Sequence, residues 1–334
     1  MFHWMVVLLL LVSVSVVVPV PLNIIKKALT WARGLKYMAL SKDLPKTCKE
    51  TNFIAVGGKS TGGTTRVVRI VFIRHGQSVW NSLFNSFGPM WPVRVLSAML
   101  TEAWFFLTNP LDSLIFDSPL STKGVSEAED LRQFVKGCSP KAIPHDTSNS
   151  LVICSNLRRA MATAAIGLGP RTGVTGERIV VDSCLQEGSR NVDALALNNE
   201  KSKLVSTPIY KWKTALEQST VFDPAFNDGN KSVKSNVNIR MTDFVRRVFG
   251  GGPNGGYSPV GKTNADLTTL VVVGHSGYIR SFFRRFLPAS STHISKKCKL
   301  QTAGAVTFDL VMNTQTHEVY VDEATVTLLH REFK

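Results

Sequence analysis

The chain has 334 residues, 44% of them hydrophobic and 19% charged, which provides for a sizeable core and excludes wholesale disorder. Its five cysteines form no CxxC pair, which argues against a zinc ribbon or a disulfide scaffold. The net charge is +15, and residues 1–70 hold ten basic residues against two acidic ones. Such a balance suits an anionic membrane or an anionic substrate better than nucleic acid here, because no helix-turn-helix, RNP or zinc-finger pattern is present.

Taken in chain order, residues 5–25 come first. From Met5 to Ile25 there is no charge, and the run is mostly valine and leucine. About 20 apolar residues suffice to cross a bilayer. Lys26, Lys27, Arg33 and Lys36 follow at once, and the positive-inside rule puts the rest of the chain in the cytosol. The expectation is membrane localisation through a single-pass N-terminal anchor, with the alternative of a cleaved signal and a secretory or organelle lumen. Residues 26–66 read as a basic juxtamembrane segment and linker, and 67–334 as the folded domain.

In that domain, apolar runs of strand length alternate with helical patterns. This predicts an α/β fold with a mostly parallel sheet flanked by helices on both faces. The strand-like runs are 67–73, 151–154, 178–181, 268–273, 305–311 and 318–321. Helices are predicted over 122–136, 156–167 (capped by Ser155), about 235–249, and 277–287. Residues 82–116 hold an apolar insertion. Within it, 93–107 read as a helix with Leu96, Leu100, Ala103 and Leu107 on one stripe, packed over the core or touching a membrane.

Two strands share one ending. Arg74-His75-Gly76-Gln77-Ser78 follows the run at 67–73, and Gly274-His275-Ser276-Gly277-Tyr278 follows the run at 268–273. Ligands of doubly wound sheets bind beyond the carboxyl ends of the strands, so two histidines placed this way converge if their strands are neighbours. Arg74 precedes the first histidine, and Arg158 and Arg159 fall in the first turn of a helix after another strand. Arginine forks and helix N-termini both suit phosphate oxygens. Histidine and arginines at strand ends therefore point to phosphoryl transfer, and Glu187 is placed to protonate a leaving oxygen. A serine hydrolase built on Ser276 fits less well, because Tyr278 stands where a nucleophile elbow wants a small residue.

These segments resemble the histidine phosphatase superfamily, the phosphoglycerate mutase-like group. Arg74–Ser78 with Asn81 is similar to that family's RHG-[E/Q]-S-x-x-N opening, and Asp117–Gly124 to its D-x-x-L-[S/T]-x-x-G segment. Ser155–Ala160 with Thr163, Leu185-Gln186-Glu187, and Gly274–Gly277 match its later motifs in the family's order. The resemblance implies His75 as the nucleophile that becomes phosphohistidine. It implies a phosphate pocket of Arg74, Asn81, Arg159 and His275, and Glu187 as proton donor, with no metal or cofactor. Arg158 then becomes a surface or supporting charge. Gly188-Ser189-Arg190-Asn191 replaces the Arg-His-Tyr-Gly run of glycolytic mutases. The expected function is a membrane-anchored phosphatase acting on phosphomonoesters: small molecules, lipid headgroups or phosphoproteins. The alternatives are a phosphoglycerate mutase-type phosphotransferase or a non-enzymatic membrane scaffold that kept the fold.

Overall fold

The apolar runs form strands, and one more strand appears without such a run. In the computed structural model the strands are β1 (Thr65–Arg74), β2 (Ser150–Ser155), β3 (Ile179–Asp182), β4 (Phe222–Phe226), β5 (Thr269–Gly274), β6 (Ala305–Asn313) and β7 (Val319–His330). The structure describes residues 19–44, 64–85, 87–198, 200–205, 207–209, 214–251 and 255–334. Among them the strands make one seven-stranded sheet of order β4-β3-β2-β5-β1-β6-β7. The β4 to β1 side is parallel throughout, and β6 and β7 close the other edge antiparallel.

The helices are α1 (Pro19–Leu40), α2 (Val79–Phe84), α3 (Trp91–Thr108), α4 (Thr122–Gly137), α5 (Arg158–Gly167), α6 (Gly169–Thr175), α7 (Ala215–Ser219), α8 (Val237–Val248) and α9 (Ser276–Phe286). Side chains of β1 alternate between faces: Ile70 and Phe72 join the core under α8 and α9, and Val71 and Ile73 join the core under α4 and α5. Burial on both faces is why the Ile70–Ile73 end of β1 reads as an unbroken apolar run, while Arg69 before it is exposed.

Residues 5–18 of the uncharged run lie outside the described residues, as do 45–63 of the segment read as linker. Among the described residues no helix is long and apolar enough to cross a membrane, and this finding overturns the single-pass membrane localisation expected above. The part of the run that is described continues into α1, whose Lys27 is buried against protein. Its Nζ lies 2.8 Å from Glu102 Oε1 on α3, with both side chains nearly inaccessible. Trp31 packs edge-on against Phe116 at 5.0 Å, and Tyr37 is buried in the same cluster. Residues 26–40 of the basic segment therefore belong to a helix packed into the fold.

The insertion forms α3 as the periodicity predicts, but its apolar stripe is not packed over the core. Ala98 and Glu102 are its buried residues, while Leu96, Leu100, Trp104 and Leu107 are exposed. Glu102 turns inward because Lys27, the Ser113 hydroxyl (2.8 Å) and the Leu114 amide (2.9 Å) all meet its carboxylate. A buried charge so fully paired outweighs the apolar pattern of the opposite face.

Candidate active site

β1 and β5 are adjacent and parallel, with Arg74 opposite Gly274. The His75 amide donates to the Gly274 carbonyl at 3.0 Å, so the two strand-end histidines emerge side by side. Their ring centroids are 5.0 Å apart, and both side chains are buried. β2, on the other side of β5, ends in Ser155 and delivers Arg159 in the first turn of α5.

Two contacts fix the tautomer of His75. Its Nδ1 lies 2.6 Å from the Gly76 carbonyl, which only accepts, so Nδ1 carries the proton. The Arg159 Nε–H then donates to the Nε2 lone pair at 3.3 Å. Burial, with the Arg159 and Arg74 guanidiniums nearby, holds the ring well below the ordinary histidine range. His75 is thus a neutral imidazole with its Nε2 lone pair turned to a guanidinium. His275 is likewise pushed down by burial, Arg159 and His75. One of its nitrogens, Nε2, meets the Ser155 hydroxyl at 2.9 Å, and Nδ1 is buried with no partner among the described residues.

Ser155 is therefore a companion of His275 and not the expected cap of α5. The helix begins at Arg158, after Leu157, without a side-chain cap from its own sequence. The first free amide is met from a distance, by Asp117 Oδ1 to the Arg158 amide at 2.8 Å. Arg158 is not a surface charge. It is buried, with its Nε on the Asp117 carbonyl (3.0 Å) and its Nη1 on Asp112 Oδ1 (2.6 Å). It fastens the start of α5 to the turn at 112–117, which aims Arg159 inward.

Arg159 donates through Nη1 to the Asp193 carbonyl at 2.7 Å, and its Nη2 lies 3.4 Å from Asp193 Oδ2. Arg74 donates through Nη1 to the Leu300 carbonyl at 2.6 Å, and its Nε is buried without a partner among the described residues. Glu187 is held at the start of α9, its carboxylate accepting from the amides of Tyr278 (3.0 Å) and Gly277 (3.4 Å). Burial raises its pKa, against the Arg159 guanidinium and with the help of the Asp193 carboxylate. Gly277 permits this approach: a Cβ there falls 2.5 Å from Glu187 Oε1. Gly124 has a similar reason, since a Cβ would lie 1.9 Å from the Gln77 carbonyl oxygen beside the His75 turn.

Of the sequence-predicted residues, His75, His275, Arg159 and Glu187 come together, with Arg74 within electrostatic reach of Arg159 and Glu187. Asn81 does not join them by any described contact. It lies on α2 with its side-chain oxygen taken by Asn85 at 3.1 Å. Ser276 opens α9 as a buried residue with no described bond to either histidine. Sequence reasoning missed Asp193, which sits in a stretch without periodicity and meets Arg159 only through the fold. One ring nitrogen from each histidine and a Glu187 oxygen lie within 4.8 Å of one another, a donor set that can hold a metal ion. The adjacent Arg159 and Arg74 give the site a positive potential that favours an anion over a cation.

No protein-family model and no curated protein matches the chain. Solved structures that it is similar to include phosphatases and a phosphoglycerate mutase. One is a putative alpha-ribazole-5′-P phosphatase from Escherichia coli, at 15% identity and TM-score 0.38, covering 80% of this chain and 100% of that one. Another is a mycobacterial glucosyl-3-phosphoglycerate phosphatase, at 15% and 0.39, covering 79% and 99%. A third is a phosphoglycerate mutase from Bacillus anthracis, at 16% and 0.39, covering 77% and 92%.

Proposed function

We propose that the chain is a phosphoric monoester hydrolase that works through a phosphohistidine on His75. The observation that carries this reading is the His75 tautomer, with Nδ1–H on the Gly76 carbonyl and the Nε2 lone pair facing Arg159 beside His275. A neutral, oriented imidazole is a nucleophile that needs no base to remove its proton.

A phosphoryl group entering the pocket takes the place of Nε2 as the partner of Arg159 Nε–H. Arg159 and Arg74 neutralise the equatorial oxygens, and the free nitrogen of His275 is a further contact. Nε2 forms the bond to phosphorus as the ester P–O bond breaks, and protonated Glu187 gives its proton to the leaving oxygen. Water then attacks phosphorus, Glu187 takes a proton from that water, and the P–N bond breaks to release phosphate and free His75. Asn81 has no assigned part in this scheme.

The test is hydrolysis of 4-nitrophenyl phosphate by the full chain, beside His75→Ala and Ser276→Ala. Activity lost with His75 and kept without the Ser276 hydroxyl supports the proposal. Activity that follows Ser276 replaces it with a serine hydrolase, and transfer of phosphate between two hydroxyl positions of one molecule would make the protein a mutase.

A further inference from the structure

The segment before the sheet reaches the back of the Glu187 loop. Asp43 is completely buried there. Its Oδ1 takes Arg240 Nη1 at 2.6 Å, and its Oδ2 takes Lys231 Nζ at 2.8 Å, the Ser189 amide at 3.0 Å and Arg240 Nη2 at 3.2 Å. Its carbonyl accepts the Val237 amide that opens α8, at 3.1 Å.

The two cations it gathers are aimed at the backbone that carries Glu187. Lys231 Nζ donates to the Glu187 carbonyl at 2.6 Å and the Ser189 carbonyl at 3.0 Å. Arg240 Nη2 donates to the carbonyls of Gln186 (3.3 Å) and Glu187 (3.4 Å). From α1, Tyr37 adds its hydroxyl to the Ser189 carbonyl at 3.3 Å, and its ring centroid lies 5.2 Å from Lys231 Nζ. Every carbonyl from Gln186 to Ser189 except that of Gly188 is thus held by this group.

We infer that Asp43 is a positioning residue for Glu187, so that the segment preceding the sheet completes the active site; the inference rests on the proposed function above. Lys231 and Arg240 are like charges buried together, and they stay on the loop only because one carboxylate lies between them. Burial pushes Lys231 down to about 8 even with Asp43 beside it. Burial alone would raise Asp43, but Lys231 and Arg240 outweigh it and keep the carboxylate ionised. Without that charge the lysine loses its proton or its place, and the loop carbonyls lose their donors. The Glu187 side chain then keeps its bonds to α9 on a backbone that is no longer fixed.

A misplaced acid has a chemical signature. A leaving oxygen that is a good leaving group needs little protonation, and an alkoxide needs much. The experiment compares kcat/KM of the full chain and Asp43→Asn on 4-nitrophenyl phosphate and on glycerol 2-phosphate. General acid catalysis supplies about 10²- to 10⁴-fold, so a partial loss of alignment is expected to cost at least about tenfold on the alkyl ester and under about threefold on the aryl ester. Lys231→Met and Tyr37→Phe are measured beside it, the first expected to show the same selective loss and the second a smaller one. Equal losses on both esters in all three variants assign these residues to general stability and overturn the inference, as does no loss on either. An unaltered chain that hydrolyses neither ester overturns the proposed function itself, and the inference with it.

Discussion

Arg159 and Asp193 hold one another inside the pocket, Nη2 to Oδ2 at 3.4 Å and Nη1 to the Asp193 carbonyl at 2.7 Å. The guanidinium is thereby fixed in place before any anion arrives. The cost is that a phosphate must share Arg159 with a carboxylate, and burial already raises the pKa of that carboxylate. Asp193→Asn keeps the carbonyl contact and removes the like charge. Inorganic phosphate, measured as a competitive inhibitor at neutral pH, is expected to bind about three- to tenfold more tightly to the variant. An unchanged inhibition constant contradicts this reading.

The pH profile follows from the same burial. His75 stays neutral well below the ordinary histidine pKa, so its protonation does not limit activity near pH 6.5. Glu187 has a raised pKa and remains a donor to higher pH than a free carboxyl. Arg159, Arg74 and Lys231 face it as cations, with Asp193 as an anion. On an alkyl ester, kcat therefore falls as pH rises through the Glu187 pKa, and Glu187→Gln is expected to remove that limb.

Stability carries the opposite sign. The unfolded chain binds protons at both histidines near pH 6.5, and the folded chain refuses them because His75 and His275 are depressed. The unfolded state thus binds more protons as pH falls, and stability is lost below about pH 6.5. Thermal unfolding of the full chain at pH 7.5 and pH 5.5 is expected to show a lower Tm at the acid value. His75→Asn, which cannot titrate, is expected to lose less over the same interval.

The Lys27–Glu102 pair ties α1 to the insertion helix at 2.8 Å with both groups buried. Lys27→Met leaves the Glu102 carboxylate with only the Ser113 hydroxyl and the Leu114 amide, and is expected to destabilise by about 3–5 kcal/mol. Lys27→Met with Glu102→Leu removes both charges, so denaturant unfolding is expected to place the double variant closer to the unaltered chain than Lys27→Met alone.

The sheet centre and the paired histidines were legible because β2, β5 and the Ile70–Ile73 end of β1 are buried on both faces and are apolar up to their last residues. Edge strand β4 was not, since Pro224 and half-exposed neighbours give Phe222–Phe226 no apolar run. The periodicity of α3 revealed a helix, but the reading that packs its apolar stripe over the core fails, since Leu96, Leu100 and Leu107 are exposed. Glu102 is an interior residue because Lys27, Ser113 and Leu114 meet its carboxylate, and no local pattern records Lys27, which comes from α1. Asp43 was hidden for the same reason, since a single acid in a polar stretch looks like linker until Lys231 and Arg240 are folded around it. Glu187 and Arg159 were readable from motif order, whereas Asp193, which holds Arg159, has no fixed place in a motif.

The most direct measurement is acid-quench labelling of the full chain with a radiolabelled phosphomonoester, beside His75→Ala. The account predicts a label on the unaltered protein that is acid-labile and base-stable, and none on the folded variant. Turnover without such a label, or a label that persists when His75 is replaced, would contradict it.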